Sequence, residues 1–532
     1  MRISYRKYSP FIFVVLWALA IALLISLAIE LSDGHLIYTL DDPYIHLAVA
    51  ENVIRGVYGV NMQELSSPSS SAIYPFILAL TEALGLGGAG PLLVNLIAAG
   101  LSVWLLLDFF WSYAVPADGN KYAFPFLLSL LLVFLISALA LPMTGMEHSL
   151  HVLAVVLVMR GLVRTAETDR VGPCFFVAII LMPLLRFEGI ALAAAVILAL
   201  AILGRGRVAL LLLLLLGLVF GVYTSWMLAL DLPALPSSVM QKSALAAKAE
   251  SGIGLFDLAR TLVEAIWLSL NHRAGVLLAL AICALSVVVH RANGPRINPR
   301  SPEVLVALAS ALALAAHIVA GAYGWFWRYE VYAFAIAAMA LIYVFRSAIS
   351  ALQTRRLYGA QLALLLTTAV VVVPYVRAAY ETPTASRGIY EQHYQMHRFA
   401  TDFFPRNVAV NDLGWVSYRN DMFVLDLQGL GSEQVRRLRA ENQFDAEVIE
   451  RLVQDQGVDY AMIYAEWFRG IVPKSWCLVA ILKSQKVSAA YGEVLFYATH
   501  DGSLKELQNA VASFRPSLPE RVVLEDVTCD GS

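Results

Sequence analysis

Apolar runs long enough to cross a bilayer recur through the first 380 residues, at 11–29, 208–230 and 357–376 among others. A helix needs about 20 residues to cover roughly 30 Å of hydrocarbon at about 1.5 Å per residue, and these runs meet or approach that length. The 532-residue chain is 59% hydrophobic and 15% charged, with a mean hydropathy of +0.69. A water-soluble domain with that balance would aggregate, so the bilayer must be the solvent for much of it. The first run follows Arg2, Arg6 and Lys7 in the manner of a signal peptide. No small-residue cleavage site stands out and more spans follow, which predicts a retained first helix.

Lys and Arg gather at Arg2/Arg6/Lys7, Arg160/Arg164/Arg170, Arg205/Arg207, Arg291/Arg296/Arg300 and Arg346/Arg355/Arg356. Assigning these clusters to the cytoplasmic side puts the turns 143–148, 186–189, 233–251 and 325–330 outside, together with a first outer loop at 32–74. The unusual polar motifs then share one face. Between that loop and Met146 stand three apolar runs, near 72–84, 91–111 and 123–141, where parity requires an even number, so one is re-entrant or a short pair. About eleven transmembrane helices are expected in all.

Beyond Pro374 the character changes: residues 377–532 carry about half of the Lys, Asp and Glu. Strand-like runs at 408–410, 422–427 and 460–464 alternate with helical stretches at 433–442 and 446–456. The expected organisation is a polytopic α-helical membrane domain over 1–378, followed by a soluble extracytoplasmic α/β domain over 379–532. Of four cysteines, Cys174 and Cys283 lie in or beside apolar segments, and Cys477 and Cys529 in the polar tail, with no CxxC spacing. On the outer side the latter two can pair; two free thiols are the alternative. A net charge of −2 and the lack of a basic, aromatic-interleaved stripe set nucleic acid aside.

Just after the first span, Leu40-Asp41-Asp42-Pro43-Tyr44 places two adjacent carboxylates at the start of a juxtamembrane helix over 44–55, expected to be amphipathic. One aspartate is accounted for as an N-cap ahead of Pro. The second is not, and neighbouring carboxylates can act as a general base or hold a divalent cation, the one cofactor this chain suggests. His46, four residues after Asp42, shares its helix face and is either a partner of that site or an exposed helical histidine.

Further motifs follow in order: Ala50-Glu51-Asn52 with Arg55-Gly56, Ser67-Pro68-Ser69-Ser70-Ser71 with Tyr74-Pro75, Thr144-Gly145-Met146-Glu147, Arg186-Phe187-Glu188-Gly189 and Arg328-Tyr329. The tail adds Asn411-Asp412-Leu413-Gly414-Trp415 and Val424-Leu425-Asp426-Leu427 with Gly429-Leu430. This series, over about residues 10 to 432, resembles the GT-C superfamily of integral-membrane glycosyltransferases. Several bacterial branches share it, the mycobacterial terminal arabinofuranosyltransferases among them. Phe187 stands where the family often has Pro, and His148 where Thr is commoner, departures that bear on substrate rather than fold.

The resemblance implies inverting transfer of a sugar from a polyprenyl-phosphate donor to a hydroxyl of a glycan, lipid or protein acceptor. The site would face the outer side of the cytoplasmic membrane, in cell-envelope glycan or glycolipid assembly. Asp41 would take the acceptor's proton, and Asp42 would orient the acceptor or a cation. Arg186 and Arg328 would grip the donor phosphate, with Lys242, Glu147, Glu188 and His46 in the binding set. Lys248 can share the task of Lys242 or simply be solvated. Arg186 and Glu188 can equally pair with each other across their hairpin. Ionisable residues at the ends of apolar hairpins are costly unless they face a wet cavity, which favours a site. Trp325, Phe326 and Trp327 fit an interfacial belt or a sugar-stacking wall. Neither a P-loop nor a GxGxxG follows a strand, consistent with a lipid-linked donor. The rival reading is a transporter or flippase, against which stand the absence of repeated halves and the gathering of charge at outer turns.

Overall fold

A computed structural model describes residues 5–116, 122–242, 255–292 and 298–528. In hydrocarbon every backbone N–H must find its partner within the segment, so the apolar runs can only be helices. Among the described residues six helical stretches are long and apolar enough to cross a membrane: Tyr8–Leu31, Gly87–Tyr113, His148–Thr168, Gly206–Ala229, Pro302–Ala320 and part of the 46-residue path Tyr358–Phe403. Two bent pairs, Phe256–Asn271 with Arg273–Val287 and Val331–Val344 with Arg346–Thr354, raise the number to eight if each is one span. Three shorter apolar helices, Ala123–Leu135, Pro173–Leu185 and Gly189–Ile202, complete the set. Of the three runs at issue for parity, the first forms only the ten-residue helix Tyr74–Ala83, about 15 Å long and too short to span.

The chain divides into two compact units. Met1–Leu24, Leu92–Tyr223 and Met240–Tyr380 form the first; Ile25–Pro91, Thr224–Val239 and Glu381–Ser532 form the second. In the first, Val331–Val344 is buried almost all round, as befits a helix apolar on every face. Leu19, Leu214 and Leu218 are more than 60% exposed, a surface suited to acyl chains rather than water. Close helix approach uses small residues: a Cβ on Gly161 of His148–Thr168 would stand 2.3 Å from the Phe175 ring of Pro173–Leu185.

The second unit is built on six strands: β1 Val408–Val410, β2 Val424–Asp426, β3 Tyr460–Ile463, β4 Cys477–Lys483, β5 Glu493–Ala498 and β6 Val523–Asp526. Their order is β2-β1-β3-β5-β4-β6, with β1 parallel to β2 and β3 and the remaining pairs antiparallel. Alternation along β3 feeds two cores. Ala461 and Ile463 join Leu425, Val435, Ile449 and Leu452 under the helices Glu433–Ala440 and Ala446–Asp455. Tyr460 turns to the opposite face, where Phe399 meets Phe496 and Phe514 edge-on. The three expected strands and two expected helices are therefore present.

Residues 25–91 are stitched into this sheet unit. Asn61 donates from Nδ2 to the Val424 carbonyl (2.9 Å) and accepts the Val424 amide on Oδ1 (2.9 Å), so its side chain satisfies both backbone groups of an edge strand. Ser432 donates to Glu64 (2.9 Å), and Tyr390 donates to Asp33 (2.9 Å). This embedding corrects the expectation of an amphipathic juxtamembrane helix: in Asp42–Ile54, every residue from Pro43 to Ala50 is buried, and Asn52 with them.

Candidate active site

Asp41 does not cap the helix that follows it. Its backbone is already helical, and its side chain makes no bond to that helix. The carboxylate instead takes the amide of Gly414 on Oδ2 (2.7 Å) and that of Trp415 on Oδ1 (2.8 Å), gripping the first turn of the helix Gly414–Ser417 with both oxygens. Only glycine fits at 414, because a Cβ there would lie 2.2 Å from the Asp41 carbonyl oxygen and 2.5 Å from Oδ2. The Trp415 ring stacks on Tyr44 at 3.9 Å, and the Tyr44 hydroxyl accepts the Tyr38 amide. Burial raises the Asp41 pKa to about 6. His393 and the two amides pull it down, and the neighbouring charge of Asp412 pushes it up.

His393 lies in a π-helical segment, Tyr390–Tyr394, a local widening that often marks functional positions. Its buried Nε2–H faces Asp412 Oδ2 at 3.2 Å and the Tyr464 hydroxyl oxygen at 3.3 Å. Tyr464 donates in turn to Gln392 (2.7 Å), and its amide donates to Asn411 Oδ1 (2.7 Å). Asp41, Asp412 and Asp42 all act electrostatically on this one imidazole. The structure thus joins the first-loop Asp41 to the tail motif at 411–415, a pairing of segments some 370 residues apart in the chain. Asp412 was legible only as part of that motif. His393, Gln392 and Tyr464 carried no sequence signal at all. Among the described residues no group of three or more His, Cys, Asp or Glu is arranged to hold a metal ion, and both Asp41 oxygens are engaged by amides.

The first unit holds a second polar cluster. Arg186 donates from Nη1 to Glu147 (2.6 Å) and from Nη2 to Glu188 (2.6 Å), with Arg186 and Glu147 both buried. The hairpin pairing of Arg186 with Glu188 therefore exists, and Glu147 from another turn extends it. Arg328 donates to the Tyr329 hydroxyl (2.9 Å), and the guanidinium carbons of Arg328 and Arg186 lie 4.9 and 5.6 Å from the Tyr329 ring centroid. Trp325, Phe326 and Trp327 take φ of 43°, 62° and 51°, three successive left-handed non-glycine residues directly before Arg328. Such a run costs on the order of 1–2 kcal/mol per residue, and backbone strain of this kind concentrates at functional turns. Glu330 accepts the Gly324 amide (3.0 Å), closing the turn from the other side.

His46 is buried rather than exposed: its Nδ1 lies 3.0 Å from Ser69 Oγ, and its ring meets Tyr74 edge-on, so it ties the helix to the serine-rich stretch. Lys242 ends the short helix Ser237–Lys242, and Lys248 lies outside the described residues. His317 shares a 2.8 Å hydrogen bond with Tyr332. Cys477 is disulfide-bonded, and Cys529 lies outside the described residues.

Residues 385–497, which include His393, Asp412 and Tyr464, match a family model described as a domain of unknown function (DUF8728). No curated protein matches the chain significantly. Among solved structures, the archaeal oligosaccharyltransferase AglB from Archaeoglobus fulgidus, in complex with an inhibitory peptide and a dolichol-phosphate, superposes with a TM-score of 0.48 at 11% identity, covering 98% of this chain and 76% of that one. The arabinofuranosyltransferase AftD from Mycobacteria superposes with a TM-score of 0.43 at 13% identity, covering 91% of this chain and 41% of AftD.

Proposed function

We propose that this multi-pass membrane protein is an inverting glycosyltransferase that moves a sugar from a polyprenyl-phosphate donor to an acceptor hydroxyl on the outer face of the cytoplasmic membrane. The observation that carries the reading is the carboxylate group of the second unit: Asp41 and Asp412, with Asp42, act on one buried imidazole, His393. A general base has to be ionised, oriented and within reach of the hydroxyl it deprotonates, and this group is built to hold acidic side chains in place. The order of motifs shared with the GT-C superfamily supports the same chemistry. The disulfide at Cys477 supports an oxidising compartment for the sheet unit.

In this reading the acceptor oxygen attacks the anomeric carbon, the bond to the donor phosphate breaks, and the configuration inverts in a single displacement. Arg186 and Arg328, both in the first unit, are the candidates for binding a donor phosphate. Since Arg186 already binds Glu147 and Glu188, a phosphate that engages it must compete with those carboxylates.

The test is transfer of labelled sugar from polyprenyl-phosphate donors in liposomes reconstituted with the full chain, comparing wild type with Asp42→Asn and Arg328→Lys. Transfer by wild type that falls at least about 100-fold in Asp42→Asn, with the fold intact, is the expected result. Failure of wild type with every donor, alongside solute uptake indifferent to both substitutions, would move the assignment to a transporter.

A further inference from the structure

We infer that Asp412 is the residue that takes the acceptor's proton, that His393 is the positioning residue that aims it, and that Asp41 is a clamp fixing the loop on which Asp412 sits; this rests on the transfer reaction proposed above. The motif around Asp41 draws attention to the first-loop aspartate, but its geometry is that of a tether. Each of its two oxygens accepts a backbone amide, at 2.7 and 2.8 Å, from the first turn of Gly414–Ser417. Charge-assisted bonds of this kind strengthen with negative charge on the carboxylate. Protonating Asp41 would weaken both and loosen the segment that starts two residues after Asp412. Burial raises the pKa of Asp41, yet for a general base geometry ranks ahead of basicity.

Asp412 differs in access and in support. Its side chain is 25% exposed, so an acceptor can reach it, whereas the imidazole that holds it is only 2% exposed. One oxygen, Oδ2, faces His393 Nε2, and His393 is braced by Tyr464 and Gln392. Asn411, the residue before Asp412, is pinned through its side chain by the Tyr464 amide. A carboxylate of fixed orientation with a buried imidazole behind it is the arrangement expected of a positioned base. The step balances. The acceptor O–H bond breaks as its oxygen bonds the anomeric carbon, the proton ends on Asp412, and the electron pair of the broken carbon–oxygen bond leaves with the polyprenyl phosphate.

Full-length protein in donor-loaded liposomes gives the test, with kcat, donor KM and unfolding temperature measured for Asp412→Asn, Asp412→Ala, Asp41→Ala and His393→Gln. The expected result for Asp412→Asn is a kcat loss of about 10²- to 10⁴-fold at unchanged donor KM and unfolding temperature. Added formate should restore at least about tenfold of the lost kcat in Asp412→Ala, and none in Asp41→Ala, whose unfolding temperature should fall. His393→Gln, which keeps a donor beside Asp412, should retain more kcat than Asp412→Asn. Near wild-type kcat in Asp412→Asn, or formate rescue of Asp41→Ala alone, would overturn the assignment. A wild type that transfers no sugar would overturn the transfer reading itself, and this inference with it.

Discussion

Gly414 shows how one residue without a side chain can hold a site together. It leaves the Asp41 carboxylate room to approach the 414–415 amides, and an added methyl would overlap both the carboxylate and the Asp41 carbonyl. Gly414→Ala should destabilise the protein by about 1–3 kcal/mol as an overpacked site. It should also lower transfer further than that loss of fold explains, as read from thermal unfolding and activity on the same preparation. The Asp41 clamp sets a pH expectation as well. Asp41 is held at about 6 by burial, against the opposing pull of His393 and the amides. Ionised Asp41 holds its two amides most strongly, so activity should fall as pH drops through about 6 and level off above it. A pH profile of kcat for wild type, with no such limb left in Asp41→Asn, checks this.

At the scale of elements, the loop after β2 depends on Asp426, whose carboxylate accepts the amides of Gln428 (2.8 Å), Leu430 (2.6 Å) and Gly431 (2.8 Å). Burial raises its pKa to about 6, opposed by those three amides. The unfolded value is about 3.9. The folded state therefore holds a proton between about pH 4 and pH 6 that the unfolded chain has released, and stability declines as pH rises through that window. Asp426→Asn removes one acceptor and this titration together. Its unfolding temperature should lie below that of wild type, by a gap that widens as pH falls from 6 towards 4. Helix packing gives a second expectation. Gly161→Leu would drive a side chain into the Phe175 ring and should separate the helices His148–Thr168 and Pro173–Leu185, visible as loss of monodisperse protein in detergent. The helices themselves were legible in the sequence, since apolar length alone forces them. The helix Asp42–Ile54 read as amphipathic because its burial comes from segments remote in the chain, which no local periodicity records.

At the scale of the molecule, the membrane-embedded character and the sheet-bearing tail follow from composition and from the change in charge density near residue 377. Cys477 should react with a membrane-impermeant maleimide only after reduction, in right-side-out cells; reaction without reductant would remove the disulfide from the account of the sheet unit.

What the sequence determined by itself is what short-range physics enforces: helices wherever about 20 apolar residues follow one another, strands β1, β2 and β3 where short apolar runs interrupt a polar tail, and charged turns between the helices. It also marked which turns hold unusual charge, and the structure brings Glu147, Arg186 and Glu188 from two of those turns together. Only the tertiary structure decided what Asp41 binds, that residues 25–91 belong with the sheet, and that His393 and Tyr464 flank Asp412. The physical reason is that a carboxylate looks the same in sequence whether it caps its own helix or one 373 positions away. Hydrogen-bond partners are chosen by chain path and burial, and neither is written in local spacing.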